Sequence, residues 1–69
     1  MTNLRERSFL ITKRKSLGMS QRQVAKSLGI SQGYYALIER GSRDPGFQLA
    51  IRIADFFGFN VRILKGDNP

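Results

Sequence analysis

Residues 20–41 read SQRQVAKSLGISQGYYALIERG, and this stretch decides the fold. Ser20 followed by Gln23 is a capping box. The serine oxygen takes an orphan amide of a starting helix, and the glutamine side chain reaches back to the capping residue's own amide. Val24, Ala25 and Leu28 then share one helical stripe, and Gly29 supplies a stop. Ser31 is a second good N-cap, Tyr35 and Ile38 lie on one face, and Gly41 closes the segment. The pattern predicts helices over Gln21–Leu28 and Gln32–Arg40, separated by a very short turn.

Outward from this centre, the spacing predicts a first helix over Leu4–Leu17, with Leu10 and Leu17 facing inward and a basic remainder. On the other side, Asp44-Pro45 places a capping carboxylate before a proline suited to the first helical position. It opens a fourth helix over Gly46–Phe57, where Phe47, Ala50, Ile53, Ala54 and Phe57 keep helical spacing. The tail, residues 59–69, has two readings. Asn60 could cap one helical turn, or Val61 and Ile63 could alternate with polar neighbours in a short strand. Arg62 in a first turn would oppose the helix dipole, which tips the balance slightly toward the strand. Residues 67–69 are expected to fray. There is no repeat, low-complexity tract or linker, so residues 1–69 are expected to form one all-α domain of four to five helices. The fourth helix holds more apolar residues than one face needs. Leu49, Phe56, Phe59, Val61 and Ile63 therefore belong either to a wide core or to a self-association surface.

Composition narrows the chemistry. The chain has 69 residues, 12 basic and 5 acidic, and a net charge of +7. Residues 1–43 carry nine basic and two acidic residues, and residues 44–69 balance, so the whole excess sits in the first part. A solvated basic face is one reading of that excess; a surface facing a polyanion is the sharper one. Charge alone does not separate nucleic acid from an anionic membrane, but capped helices with core stripes suit a globule better than a membrane-surface helix. Cysteine and histidine are absent. That removes disulfides, zinc sites built on sulfur or imidazole, and Ser-His or Cys-His nucleophile pairs. No catalytic site, metal or cofactor is expected. The only apolar block after Met1–Arg7 is Phe9-Leu10-Ile11, too short for a signal peptide or a membrane span. A cytoplasmic location is expected.

Counting from Gln21, the small Ala25 is fifth, Gly29 ninth, Tyr35 fifteenth and Ile38 eighteenth. Ala25 allows two helices to cross closely, Gly29 permits the turn, and Tyr35 and Ile38 fasten the second helix to the first. This is the layout of a helix-turn-helix, spanning about residues 20–40. The longer run RKSLGMSQRQVAKSLGISQGYYALIERGSRDP resembles the Cro/phage-repressor, or Xre-type, helix-turn-helix DNA-binding family. The matching residues are Arg14, Gly18, Met19, Ser20, Gln21, Val24, Ala25, Leu28, Gly29, Ile30, Ser31, Ile38, Glu39, Gly41 and Pro45, and FQLAIRIADFFGF continues the match. The resemblance covers about residues 4–60. It implies a lambda-repressor-like domain that binds double-stranded operator DNA, normally as a homodimer, with the chain acting as a transcriptional regulator, most simply a repressor, gathered on the nucleoid. The segment NVRILKG departs from the family's usual fifth helix. It is also similar to the strand ending of antitoxin-type relatives, which autoregulate their operon and bind a toxin or other partner protein through an apolar C-terminal region.

The second helix of the motif would enter the major groove by its N-terminal end. Gln32 is the leading base-reading candidate, because its amide donates and accepts as adenine's edge requires; the alternative is a solvated first-turn residue. Gly33 offers close backbone approach. Tyr34 contacts a phosphate or a thymine methyl, or packs on the preceding helix. Ser31 caps its helix and also offers a phosphate site. The resemblance gives Gln21 a phosphate or bridging role beside Gln32. Arg22, Arg40 and Arg43 are backbone-contact candidates, Arg43 foremost. The resemblance also implies a structural salt bridge between Arg14 and Glu39.

Overall fold

A computed structural model describes residues 7–63 of the chain; of Ile63 only the backbone is described. The capping box forms as the sequence requires. Ser20 Oγ accepts from the Gln23 amide at 3.1 Å, and Gln23 Oε1 accepts from the Ser20 amide at 2.8 Å. Helix α2 therefore starts at its predicted residue and runs Gln21–Leu28. It ends at Gly29, whose φ of +76° lies in the left-handed region that a Cβ resists. Ser31 Oγ accepts from the Tyr34 amide at 3.1 Å and opens helix α3, Gln32–Arg40. Both bounds match the sequence reading because both ends are set by local capping chemistry.

Helix α1 spans Ser8–Ser16, and α4 spans Phe47–Phe57. A single turn of 3-10 helix follows at Val61–Ile63, and no strand occurs among the described residues. The core is built from Leu10 of α1, Val24, Ala25 and Leu28 of α2, Tyr35 and Ile38 of α3, and Ala50, Ile53 and Phe57 of α4. The stripes predicted for α2 and α3 are thus the buried ones. Among the described helices α2 packs most extensively on α3, and the small Ala25 of α2 is buried.

Four expectations are corrected. The first helix does not begin at Leu4: Arg7 has left helical geometry, with φ −100° and ψ 69°, and residues 4–6 lie outside the described ones. Leu17 is not inward; it caps α1 beyond the last helical residue and is 55% exposed. Asp44 does not cap α4. Gly46 is the N-cap, with no side-chain hydrogen bond, and the Asp44 carboxylate is taken instead by Arg7. Helix α4 starts one residue later than expected, at Phe47, which stands in its first turn at 67% exposure rather than in the core. The described part of the tail, residues 59–63, resolves as one turn of 3-10 helix: Asn60 Oδ1 accepts from the Arg62 amide at 2.9 Å, while Phe59 sets its ring edge-to-face on Phe9 at 5.3 Å and Val61 packs on the core. The expected fraying at residues 67–69 lies outside the described residues.

Candidate nucleic-acid interface

The N-terminal end of α3 is open. Ser31, Gln32 and Gly33 are all exposed in succession. A Cβ placed on Gly33 would meet nothing within 4 Å, so nothing in the fold itself demands glycine there. Tyr34 is half-buried and leans on the core, yet its ring also lies 6.0 Å from the Arg43 guanidinium, at the outer edge of cation–π range. The ring thus packs within the chain, as one of its two sequence readings has it. The helix dipole adds partial positive charge to this end.

Arg22, Arg40 and Arg43 are exposed. Arg22 follows Gln21 in the first turn of α2, Arg40 ends α3, and Arg43 lies in the loop between α3 and α4. That loop is fastened. The amides of Ser42 and Arg43 both donate to the Leu37 carbonyl, at 2.9 and 3.3 Å. Arg7 completes the fastening, and sequence reasoning missed it. Its side chain is buried, and its Nη1 donates to the Ile38 carbonyl at 2.6 Å and to the Arg43 carbonyl at 3.2 Å. Its Nη2 pairs with Asp44, and its own amide donates to the Glu39 carbonyl at 2.9 Å. A cation here satisfies carbonyls at the negative end of α3 and neutralises the acid beside Arg43. No local pattern could have revealed it, because its partners lie 31 to 37 residues away.

Toward the C-terminal end of α3 lies a buried polar cluster centred on Glu39. Arg14 Nε donates to Glu39 Oε2 at 2.7 Å, and Arg14 Nη2 to Glu39 Oε1 at 3.2 Å, a forked ion pair between α1 and α3. Arg14 Nη1 also donates to the Met19 carbonyl at 3.1 Å, which anchors the approach to α2. Gln21 Nε2 donates to Glu39 Oε1 at 2.9 Å. Burial by itself would raise the Glu39 pKa; the hydrogen bonds from Arg14 and Gln21 outweigh it and hold the carboxyl below its ordinary value. The same bond raises the Arg14 pKa. Tyr35 shares this pocket, its hydroxyl buried beside Glu39 and Arg14. Burial, and then the neighbouring Glu39 carboxylate, push its pKa up.

The residues singled out for self-association are placed differently. Leu49, Phe56, Phe59 and Val61 are all half-buried and pack against the core from within the chain, and the Ile63 side chain lies outside the described residues. Arg52, which sequence reasoning left unassigned, donates to the Leu28 carbonyl at 2.7 Å and so ties α4 to the end of α2. No helix among the described residues is long and apolar enough to cross a membrane.

A family model described as helix-turn-helix matches residues 10–64. An uncharacterized HTH-type transcriptional regulator of Methanocaldococcus jannaschii is 42% identical over 43 residues, covering 62% of this chain and 65% of that protein. YqaF, an uncharacterized HTH-type transcriptional regulator of Bacillus subtilis, is 34% identical over 61 residues, covering 88% of this chain and 80% of its own length. The chain thus spans a little under two thirds of the archaeal relative. No solved structure matches the chain.

Proposed function

The chain belongs to the Cro/phage-repressor (Xre-type) helix-turn-helix family of DNA-binding transcriptional regulators, and on that premise we propose that it is a dimeric repressor reading an inverted-repeat operator through α3. The observation that carries this reading is the sorting of the basic residues. Arg7 and Arg14 are spent inside the fold on carbonyls and carboxylates, and the exposed Arg52 is engaged by the Leu28 carbonyl. Arg22, Arg40 and Arg43 are left exposed, along with Ser31, Gln32 and Gly33.

In this mechanism each protomer of a two-fold dimer lays the N-terminal end of α3 into a major groove, the two half-sites lying about one helical turn apart. Gln32 reads a base edge with its amide, adenine being the best fit. Gly33 lets the helix backbone approach closely. Ser31, Gln21 and the amides at both helix starts face phosphates, and Arg22, Arg40 and Arg43 hold the register without reading sequence. The Arg7-fastened loop gives Arg43 a fixed base from which to reach. A cytoplasmic location follows from this role.

Selection of binding sites from random duplex DNA tests the proposal. The expected product is an inverted repeat. Gln32→Ala should then relax base preference at one position in each half-site, costing roughly 1–3 kcal/mol there. Recovery of no preferred sequence would end the proposal; equal loss on every sequence would remove Gln32 as the base reader.

A further inference from the structure

The Glu39 carboxylate does more than close an ion pair. Its Oε2 takes one bond from Arg14, but its Oε1 takes two, from Arg14 at 3.2 Å and from Gln21 at 2.9 Å. Glu39 is 2% exposed, whereas Gln21 is half-buried and opens α2. An ionised carboxylate only accepts hydrogen bonds. The end of the Gln21 carboxamide turned toward Glu39 must therefore be the NH₂ end, and the flip of the side chain is fixed by chemistry. One N–H and the carbonyl oxygen of Gln21 remain uncommitted. The other glutamines differ. Gln32 and Gln48 are exposed, and Gln23 uses its carbonyl oxygen, not its NH₂, in the capping box.

We propose that Glu39 is the positioning residue for Gln21: from inside the fold it fixes the rotamer and flip with which the first residue of α2 meets the duplex. The inference rests on the DNA-binding reading above and deepens it. A long, freely rotating glutamine must be immobilised when it contacts DNA. One already pinned at its NH₂ end gives up less freedom on binding, which corresponds to roughly three- to tenfold in affinity. The arrangement also rations the amide's hydrogen-bonding capacity. With one N–H held by Glu39, Gln21 has one donor for a phosphate oxygen and one acceptor for a neighbouring N–H, such as a glutamine amide or a base amino group.

The test separates positioning from mere structural support. Arg14→Met removes the buried cation, and two partners for it are compared in the full-length chain. In R14M/E39Q the new amide carbonyl still accepts from Gln21. In R14M/E39M both charges are replaced by apolar side chains, a swap that buried ion pairs often tolerate, and the acceptor is gone. On the selected operator, R14M/E39Q should bind roughly three- to tenfold more tightly than R14M/E39M. The difference should vanish when Gln21→Ala is added to both. Equal binding of the two variants, or a difference that survives Gln21→Ala, overturns the inference. Should neither variant fold, amide exchange in the wild-type chain decides: the Gln21 side-chain NH₂ should exchange more slowly than those of Gln32 and Gln48, and equal rates overturn it. A wild-type chain that binds no duplex sinks the DNA reading and this inference together; binding with no Gln21-dependent difference sinks this inference alone.

Discussion

Gly33 sits one residue inside α3, where glycine is a poor choice for the helix itself. Ala is favoured over Gly inside a helix by roughly 0.5–1 kcal/mol, and a Cβ here would touch nothing. Gly33→Ala should therefore raise the urea midpoint of unfolding. On the proposed function, the same methyl group should intrude between helix and duplex and lower operator affinity. Stability and binding moving in opposite directions would mark the position as shaped by its partner; unchanged binding would mean no duplex atom comes near it. The residue scale also shows what a sequence conceals. Glu39 was read as one half of a pair with Arg14, yet its bond to Gln21 joins residues 18 positions apart. Arg7 carries no local signal of burial in the sequence, and it is buried. In each case the deciding partner comes from another element, so only the folded chain brings it within reach.

At the scale of elements, ends that are capped locally were legible and ends that are capped from afar were not. Helices α2 and α3 begin at serines that bond to amides three residues on, and the reading placed both correctly. Asp44-Pro45 carried an equally good local signal, but Arg7 captures the carboxylate and α4 starts without a side-chain cap. The two sites should respond differently to truncation. Ser31→Ala should lower stability by about 1 kcal/mol, the usual worth of an N-cap. Asp44→Ala removes no cap and breaks a pair whose acidic partner is 70% exposed, so its cost should stay under about 1 kcal/mol. Thermal or chemical unfolding of the two variants checks the order; a larger loss at Asp44 would show that the Arg7 staple matters more than the cap. The cluster joining α1, α2 and α3 gives a pH signature. The folded-state pKa of Glu39 lies below its unfolded value, so its contribution is present above the ordinary glutamate pKa of about 4.3. That contribution is lost as pH falls through the depressed folded value. Wild-type stability should fall as acid is added between the ordinary value and the depressed one, and Glu39→Gln should flatten this part of the profile while lowering stability at neutral pH. An unchanged acid limb would mean that Glu39 does not set it.

For the whole molecule, the question is how much of the positive charge meets DNA. Net charge alone would suggest a very steep salt dependence, since the chain carries +7 and a dimer twice that. The structure argues for a smaller number. Arg7, Arg14 and Arg52 are committed within the fold, and Lys13, Lys15 and Lys26 lie on exposed positions outside the proposed contacts. On the proposed function, the phosphate contacts of each protomer fall to Arg22, Arg40 and Arg43. Each phosphate neutralised contributes about −0.9 to the slope of log affinity against log salt, so a dimer using these three on each half-site should show a slope of about −5. A single protomer using the same three should give about −3. A slope well beyond −10 would mean that the lysines and the general field dominate, and the proposed division of the basic residues would fall. The same measurement probes assembly. Leu49 and Phe56 are half-buried on α4, and Phe59 is braced against Phe9, so a self-association surface would have to use what these side chains leave uncovered, together with the exposed Phe47. Truncating the tail would strip Phe59 from Phe9 and confuse folding with assembly, so Leu49→Lys is the cleaner probe. If α4 carries the dimer, that variant should sediment as a monomer, remain folded, and move the slope from about −5 toward about −3. A slope that halves while the protein still sediments as a dimer would break the link between α4 and two-fold binding.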